Sequence, residues 1–383
     1  MPSFALADAF FQAGVLLCYW LFYETLVRLA GFHGTVMLRL VFVALAFSFL
    51  FSSVLSSRRD GPLVQALYTL SAVWVGFFHF LFWSSVLCWG LYGARMALGL
   101  GRYPASWARA SLSLGLAMGL FGIVNARRPR IKKIDIAIRG QAGEEGGFSS
   151  VGGAARTSHG RWAGRTAVFI SDLHLGTVRG LGFARQVAAR IRRIGPDMLL
   201  LGGDFFDGGP ADAEALIAPF SEIITPLGAY FIMGNHEEFS EANRMLVQAA
   251  KEAGMKVLDN RVHMADGLQI AGVSYSSTLT RAGYERTLQA MGLRRELPVL
   301  LLKHSPVHPE ISLQEGVSLE LCGHTHKGQI IPYNLVTRLV YGKFDGGLRR
   351  LGGLTVYTSA GAGTWGPPMR VGNRPEIVLI RFV

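Results

Sequence analysis

Five short polar clusters, each directly after an apolar run, hold the residue types of metal chemistry. AVFIS leads into Asp172-Leu173-His174, and MLLLG into Gly203-Asp204. AYFIM leads into Gly234-Asn235-His236-Glu237, VLLLK into His304, and LELC into Gly323-His324-Thr325-His326. Carboxylate, imidazole and amide oxygen together suit manganese, iron or zinc rather than calcium. Two such ions about 3.5–4 Å apart clamp the attacking and leaving oxygens of an in-line displacement. They also lower the pKa of a bridging water, so that hydroxide exists near neutral pH. Phosphate esters need this help, because their charge repels nucleophiles and an alkoxide leaves poorly.

Taken singly these clusters say little. An isolated Asp-x-His is mostly structural, and Gly-Asp after a strand marks a turn as readily as a ligand. Asn-His and His-x-His after apolar strands serve no packing need, and five such pieces in order carry the inference. On extended chain a spacing of two turns both side chains to one face, so Asp172 with His174 and His324 with His326 are expected to converge.

The elements that must position these residues follow from periodicity. From Thr166 onward, short apolar runs alternate with helical stretches near 180–194, 211–224 and 240–253, an α/β pattern. In such domains ligands gather at the carboxyl ends of strands. LTVYTSAG and PEIVLIRFV read as further strands, and IKKIDIAI (131–138) alternates as a half-buried strand does. The Gly- and Ser-rich stretch 139–165 reads as a loop or linker.

Residues 1–125 are a different solvent problem. They hold ten charged side chains, whereas the chain has 38 Lys and Arg and 26 Asp and Glu in all. Four apolar stretches, near 9–30, 35–57, 63–91 and 104–124, reach the roughly 20 residues a spanning helix needs. Glu24 and Arg28 are spaced to neutralise each other on one helix, and His79 lies mid-span, where helix–helix hydrogen bonding is the expected role. Arg58, Arg59 and the run Arg127, Arg128, Arg130, Lys132, Lys133 fall on one side of the four spans; Arg95 and Arg102, with Arg109 at the start of the fourth span, fall on the other. The positive-inside bias then predicts a cytoplasmic catalytic domain. The net charge of +12 is explained by these flanks and by a phosphate-bearing substrate, so no nucleic-acid partner is expected. Three cysteines make no disulfide framework, and Cys322 reads as a small buried strand residue.

The quoted clusters, with the longer phrases LLKHSP, CGHTHKGQI and TSAGAGTWGPPMRVGNRPEI, resemble the calcineurin-like metallophosphoesterase family and its bacterial membrane-associated phosphodiesterase branch. The resemblance covers about 166–383. It implies a four-layer sandwich, two mixed β-sheets face to face with helices outside, preceded by a helical transmembrane region. It implies that Asp172, His174 and His326 bind one divalent metal, that Asn235, His304 and His324 bind a second, and that Asp204 bridges them. Manganese is the first expectation, with iron or zinc as alternatives. His236 would be no ligand but would protonate the leaving oxygen or stabilise the transition state. Arg370 and Arg374 in the C-terminal loop, and Lys327 after the last ligand, are candidates to meet a substrate phosphate; Asp207 is a candidate to orient a ligand.

The resulting organisation is 1–125 as four transmembrane helices, 126–165 as a basic juxtamembrane strand and linker, and 166–383 as the metallophosphoesterase domain. The expected function is a membrane-resident, dinuclear-metal phosphohydrolase of the bacterial inner membrane, cleaving a phosphodiester or pyrophosphate bond by attack of a metal-bridging hydroxide. A membrane lipid or nucleotide-linked lipid is the expected substrate, and the branch implies UDP-2,3-diacylglucosamine as one example. Two alternatives stand beside it: a tethered phosphodiesterase acting on soluble nucleotides, and a regulatory domain on a transmembrane partner-binding module. The oligomeric state is not legible in the sequence.

Overall fold

The computed structural model describes residues 2–59, 61–139, 162–207 and 212–383, with side chains described from Phe11 onward. Most of the linker expected at 139–165 lies outside the described residues. The chain divides into two compact units. One comprises Met1–Val124 with Gly366–Met369, and the other Asn125–Trp365 with Arg370–Val383.

The first unit is helical: Pro2–Glu24, Val36–Arg58, Pro62–Ala97 and Ala105–Ala126. Thr35 caps the second helix by accepting a hydrogen bond from Leu38 N at 3.1 Å. Among the described residues three helices, Val36–Arg58, Pro62–Ala97 and Ala105–Ala126, are long and apolar enough to cross a membrane. The expectation of four spans is therefore corrected to three. The stretch expected as the first span, 9–30, is not one helix: it passes from the helix Pro2–Glu24 into a π turn, Thr25–Leu29. Glu24 and Arg28 form the expected ion pair at this junction. Leu29, Ala30, Phe42, Leu81 and Cys88 lie in the unit's buried cluster.

The second unit is a pair of six-stranded sheets. The first has the order β1 (Arg130–Ile136), β12 (Glu376–Phe382), β2 (Thr166–Ile170), β3 (Met198–Gly202), β4 (Ala229–Ile232), β5 (Lys256–Val257). The second runs β10 (Gly347–Leu351), β11 (Leu354–Thr358), β9 (Leu319–Cys322), β8 (Val299–Leu302), β7 (Leu268–Gly272), β6 (Arg261–Ala265). Both are mixed, with parallel centres: β2–β3–β4 in one and β7–β8–β9 in the other. Strands buried on both faces must be apolar throughout, which is why MLLL and VLLL show no alternation.

Three cores make four layers. Phe169, Leu200 and Ile232 meet Ile270, Leu300 and Leu321 between the sheets. Val168, Leu199 and Phe231 face the outer helices Leu181–Ile194, Ala213–Ser221 and Asn243–Glu252. Val299, Leu301 and Val356 pack with Tyr284 and Leu288 of the helix Arg281–Ala290 and Ile311 of Pro309–Gln314. In Leu181–Ile194 the buried residues Ala184, Val187, Ala188 and Ile191 recur at helical spacing, and Gly195 at φ 60° closes the helix in a left-handed cap. The strand expected at 131–138 is β1, which joins the first sheet parallel to β12 in the register Ile131 to Ile377.

Candidate metal centre

The parallel strands deliver their carboxyl ends to one place. Asp172 and His174 follow β2, Asp204 follows β3, Asn235 and His236 follow β4, His304 follows β8, and His324 and His326 follow β9. Potential ligand atoms of Asp172, His174 and His326 lie within 4.8 Å of one another, as do those of Asp204, His304 and His324. His174 Nε2 is 3.0 Å from His326 Nε2, and His326 Nε2 is 3.7 Å from Asp172 Oδ1. Asp204 Oδ2 reaches both groups: it is 3.1 Å from His304 Nε2 and 3.7 Å from His174 Nε2.

The backbone does this differently from the expectation. Asp172, His174, Asp204, His324 and His326 have φ of 53°, 48°, 50°, 68° and 46°, the left-handed region, not extended chain. Non-glycine residues there cost on the order of 1–3 kcal/mol each and persist where the surroundings over-determine them. The determinants are visible. Asp172 N and His174 N donate to Gly203 O and Asp204 O, and Asp172 Oδ1 accepts from His324 N at 2.9 Å. Glycines permit the close approach: a Cβ on Gly234 would stand 2.2 Å from Asp204 Oδ1, and one on Gly323 2.3 Å from Asp172 Oδ2.

Glu237, which sequence reasoning left without a role, is the brace of this region. Its fully buried carboxylate accepts from Asp204 N at 2.9 Å, Gly234 N at 2.7 Å and Phe206 N at 2.8 Å. Burial, followed by the charge of Asp204, raises its pKa to about 7 against those hydrogen bonds. The signal was its place three residues after Gly234, where a side chain reaches back over a helix start.

Asp207 lies where a ligand-orienting group should. Its Oδ1 is 3.2 Å from His174 Nδ1 and 3.6 Å from His236 Nδ1. Arg370 lies inside the fold rather than at the surface. It is fully buried, its guanidinium donates to Gly363 O and His326 O, and Nη2 lies 3.1 Å from His326 Nδ1. Burial pulls its pKa down to about 9 although the Asp172 charge opposes this. The guanidinium expected to meet a substrate phosphate is thus sealed against His326, where it can hold that ring in place. Lys327 and Arg374 are exposed, Lys327 extending over Gly346. Cys322 is a buried strand residue whose thiol donates to Glu320. Aromatic rings not foreseen from sequence border the site: Tyr275 lies 5.9 Å from His304 and 5.5 Å from His324, Tyr341 6.2 Å from His324, and Trp365 6.5 Å from His236.

The donor set fits divalent cations. Among the described residues, Asp172 Oδ2, Asn235 Oδ1 and His304 Nε2 are buried without a hydrogen-bond partner, His304 Nε2 facing Asp204 without hydrogen-bond alignment. Burial would raise the Asp204 carboxyl, yet the positive charge of His304 holds it well below the usual range. Burial pulls His304 down, and Asp204 with Asp172 more than reverses this, to about 10. His324 falls to about 3 through burial and the charge of His304. The site thus favours positive charge beside Asp204, and buried imidazoles with an amide oxygen are borderline ligands of the manganese, iron and zinc class.

Comparison with known proteins agrees with this geometry. The family model for calcineurin-like phosphoesterases matches residues 166–328. An uncharacterized metallophosphoesterase of Aquifex aeolicus is 33% identical over 218 residues, 55% of this chain and 82% of that protein. A transmembrane protein with metallophosphoesterase domain from Danio rerio is 26% identical over 283 residues, covering 70% of this chain and 61% of that one. The phosphodiesterase YaeI of Escherichia coli is 28% identical over 229 residues, 56% of this chain and 81% of that protein. The chain spans between 51% and 61% of the length of several of the curated relatives it matches. Motif order, two-sheet architecture and extended similarity coincide on the same residues, and the chain belongs to the calcineurin-like metallophosphoesterase family.

Proposed function

We propose that this chain is a membrane-anchored phosphohydrolase that cleaves a phosphodiester or pyrophosphate bond in a lipid or nucleotide-linked lipid. The observation that carries the reading is the convergence of Asp172, His174 and His326 beside Asp204, His304 and His324, with five of these six residues held in left-handed backbone. Asp172, His174 and His326 would hold one divalent ion, Asn235, His304 and His324 another, with Asp204 between them. When bound, such ions supply Lewis-acid charge and a nucleophile at neutral pH. The first candidate is manganese, with iron or zinc as alternatives.

His236 is the residue placed to move a proton. Its side chain is more exposed than those of the buried cluster, and its Nδ1 is turned toward Asp207, 3.4 Å from the backbone oxygen. Nε2 is then the nitrogen left to donate to a leaving oxygen, and Asp207 fixes the ring's orientation. Its backbone N–H is fixed on Asp204 Oδ1 at 3.0 Å, which ties the acid to the ligand it must work beside. The apolar rings of Tyr275, Tyr341 and Trp365 at the rim favour a substrate with an apolar portion.

Three apolar helices support residence in a membrane. The loop after Arg58 and the chain leaving Ala126 are separated by two spans, so they share one side whether or not an earlier span exists. Their cations, Arg58, Arg59, Arg127, Arg128, Arg130, Lys132 and Lys133, outnumber Arg95 and Arg102 opposite, which supports a cytoplasmic catalytic domain in a bacterial inner membrane. We take 1–125, 126–165 and 166–383 as the working domain bounds.

The test is hydrolysis of bis-p-nitrophenyl phosphate by the purified full chain with manganese, beside Asp204→Ala and His236→Ala. Metal-dependent turnover lost in both variants is expected. Turnover that survives both would sink the assignment, and equal rates on dispersed lipid diesters and soluble nucleotides would sink the lipid preference.

A further inference from the structure

The helix Tyr333–Tyr341 of the catalytic unit is built inside out. At 3.6 residues per turn, Leu335, Leu339, Val336, Val340 and Tyr333 fall within an arc of about 160°. On an ordinary surface helix this arc faces the core. Here no residue of the helix is buried, and Leu335, Val336, Leu339 and Val340 are 66%, 54%, 86% and 64% exposed. The polar arc is the one turned to the protein. Arg338 pairs with the buried Asp345 at 3.0 Å, Tyr341 stands 6.2 Å from His324, and Asn334 crowds Gly328.

Exposed cations follow the helix in the chain. Lys343 follows the helix and accepts, through its carbonyl, a hydrogen bond from Arg349, whose neighbour Arg350 is also exposed. The acid in this stretch, Asp345, is buried and already engaged by Arg338. An apolar face followed by exposed Lys and Arg suits the boundary between headgroups and acyl chains of an anionic membrane. Docking a second copy of the chain by the same face would bring Lys343, Arg349 and Arg350 against themselves about a two-fold axis, which like charges oppose.

We propose that Tyr333–Tyr341 is an interfacial helix that inserts its apolar face into the anionic bilayer in which the chain is anchored. Because Tyr341 links this helix to His324, insertion brings the mouth of the metal centre to the lipid surface, so that a lipid phosphoester enters from the membrane. The inference rests on the phosphohydrolase reading for the substrate's route, but not for the docking itself.

The experiment uses the full chain in nanodiscs of phosphatidylcholine, with and without phosphatidylglycerol. Leu339→Cys carries an environment-sensitive fluorophore in a Cys18→Ser background, the other two cysteines being buried. The expected result is blue-shifted emission quenched by nitroxide-bearing lipids, more strongly with phosphatidylglycerol. Water-like, unquenched emission would overturn the docking. So would quenching only by a nitroxide on a second copy, which would assign the face to self-association.

In parallel, the pair Leu335→Ser and Leu339→Ser is assayed on bis-p-nitrophenyl phosphate and on hexadecyl p-nitrophenyl phosphate in the same discs. The soluble diester should be unaffected and the lipid diester should fall by about tenfold or more. Equal loss on both would place these leucines in the fold and overturn their role at the membrane. If the unsubstituted chain cleaves neither diester, the function fails, while the depth probe still decides the helix.

Discussion

His174 and His326 turn their Nε2 atoms toward each other at 3.0 Å, and the groups behind their Nδ1 atoms, Asp207 and Arg370, differ in charge. Asp207 Oδ1 stands 3.2 Å behind His174, and Arg370 Nη2 stands 3.1 Å behind His326. Two ring nitrogens facing each other at this distance mark a position that a cation can take. Asp207 accepts from His174 and leaves its Nε2 lone pair facing the pocket, which is how ligand-orienting carboxylates act.

Metal binding should therefore release protons, and affinity should rise with pH. In the metal-free chain Asp204 and Asp172 hold His304 protonated up to about pH 10, so ligation at neutral pH must expel that proton. The raised pKa favours the proton-bearing state below it, hence the competition weakens as pH climbs toward that value. Calorimetric titration of manganese in buffers of different ionisation heat should show proton release; buffer-independent heats would contradict the cluster's charge balance.

Asp207→Asn should lower metal affinity or turnover about 10–100-fold, the usual cost of removing a group that orients a ligand. Asp207→Glu should restore part of it. Metal content measured beside kcat separates a loss at His174 from a loss at His236, since only the first alters the bound ion. An unchanged pH–rate profile and metal content in the Asn variant would mean that Asp207 is merely a solvated loop acid.

Gly234→Ala should damage the centre without touching a ligand. Its Cβ would stand 2.2 Å from Asp204 Oδ1 and 2.6 Å from Asp204 N, and neither can move freely between Glu237 and His236. Overpacking of this kind costs about 1–3 kcal/mol. A lowered Tm together with substoichiometric metal is expected, and a variant with native Tm and full metal would refute the tight approach.

Lys303→Met tests the ion pair beneath the site. Lys303 Nζ and Glu320 Oε1 are 2.9 Å apart, both side chains are fully buried, and Ser312 also donates to Glu320. Removing one partner strands the other charge, typically at about 3–5 kcal/mol. Chemical denaturation should show that loss, and Lys303→Met combined with Glu320→Leu should recover much of it. A double variant no better than the single would indicate that the lysine acts through packing rather than charge.

The sequence by itself determined the identity and order of the converging residues. Asp172, His174, Asp204, His304, His324 and His326 each follow an apolar run, and strand ends are where an α/β domain exposes polar groups. It also determined the two solvents of the chain, because ten charges in 125 residues cannot cover a soluble surface. Periodicity located the strands of both sheet centres, since strands buried on both faces must be apolar without interruption.

Tertiary structure decided what depends on contacts between distant segments. Left-handed backbone at Asp172 and His174 is imposed by Gly203 and Asp204, some thirty residues away, and no local propensity predicts it. Arg370 could be read from sequence only as a free cation; its burial behind His326 arises because the C-terminal loop folds under the β9 ligands. Glu237 had no role legible in the sequence and Asp207 only a candidate one, until the β3 and β4 ends met around them. The helix Tyr333–Tyr341 shows the same limit: a sequence displays its apolar arc, but only the packed domain decides that this arc faces outward.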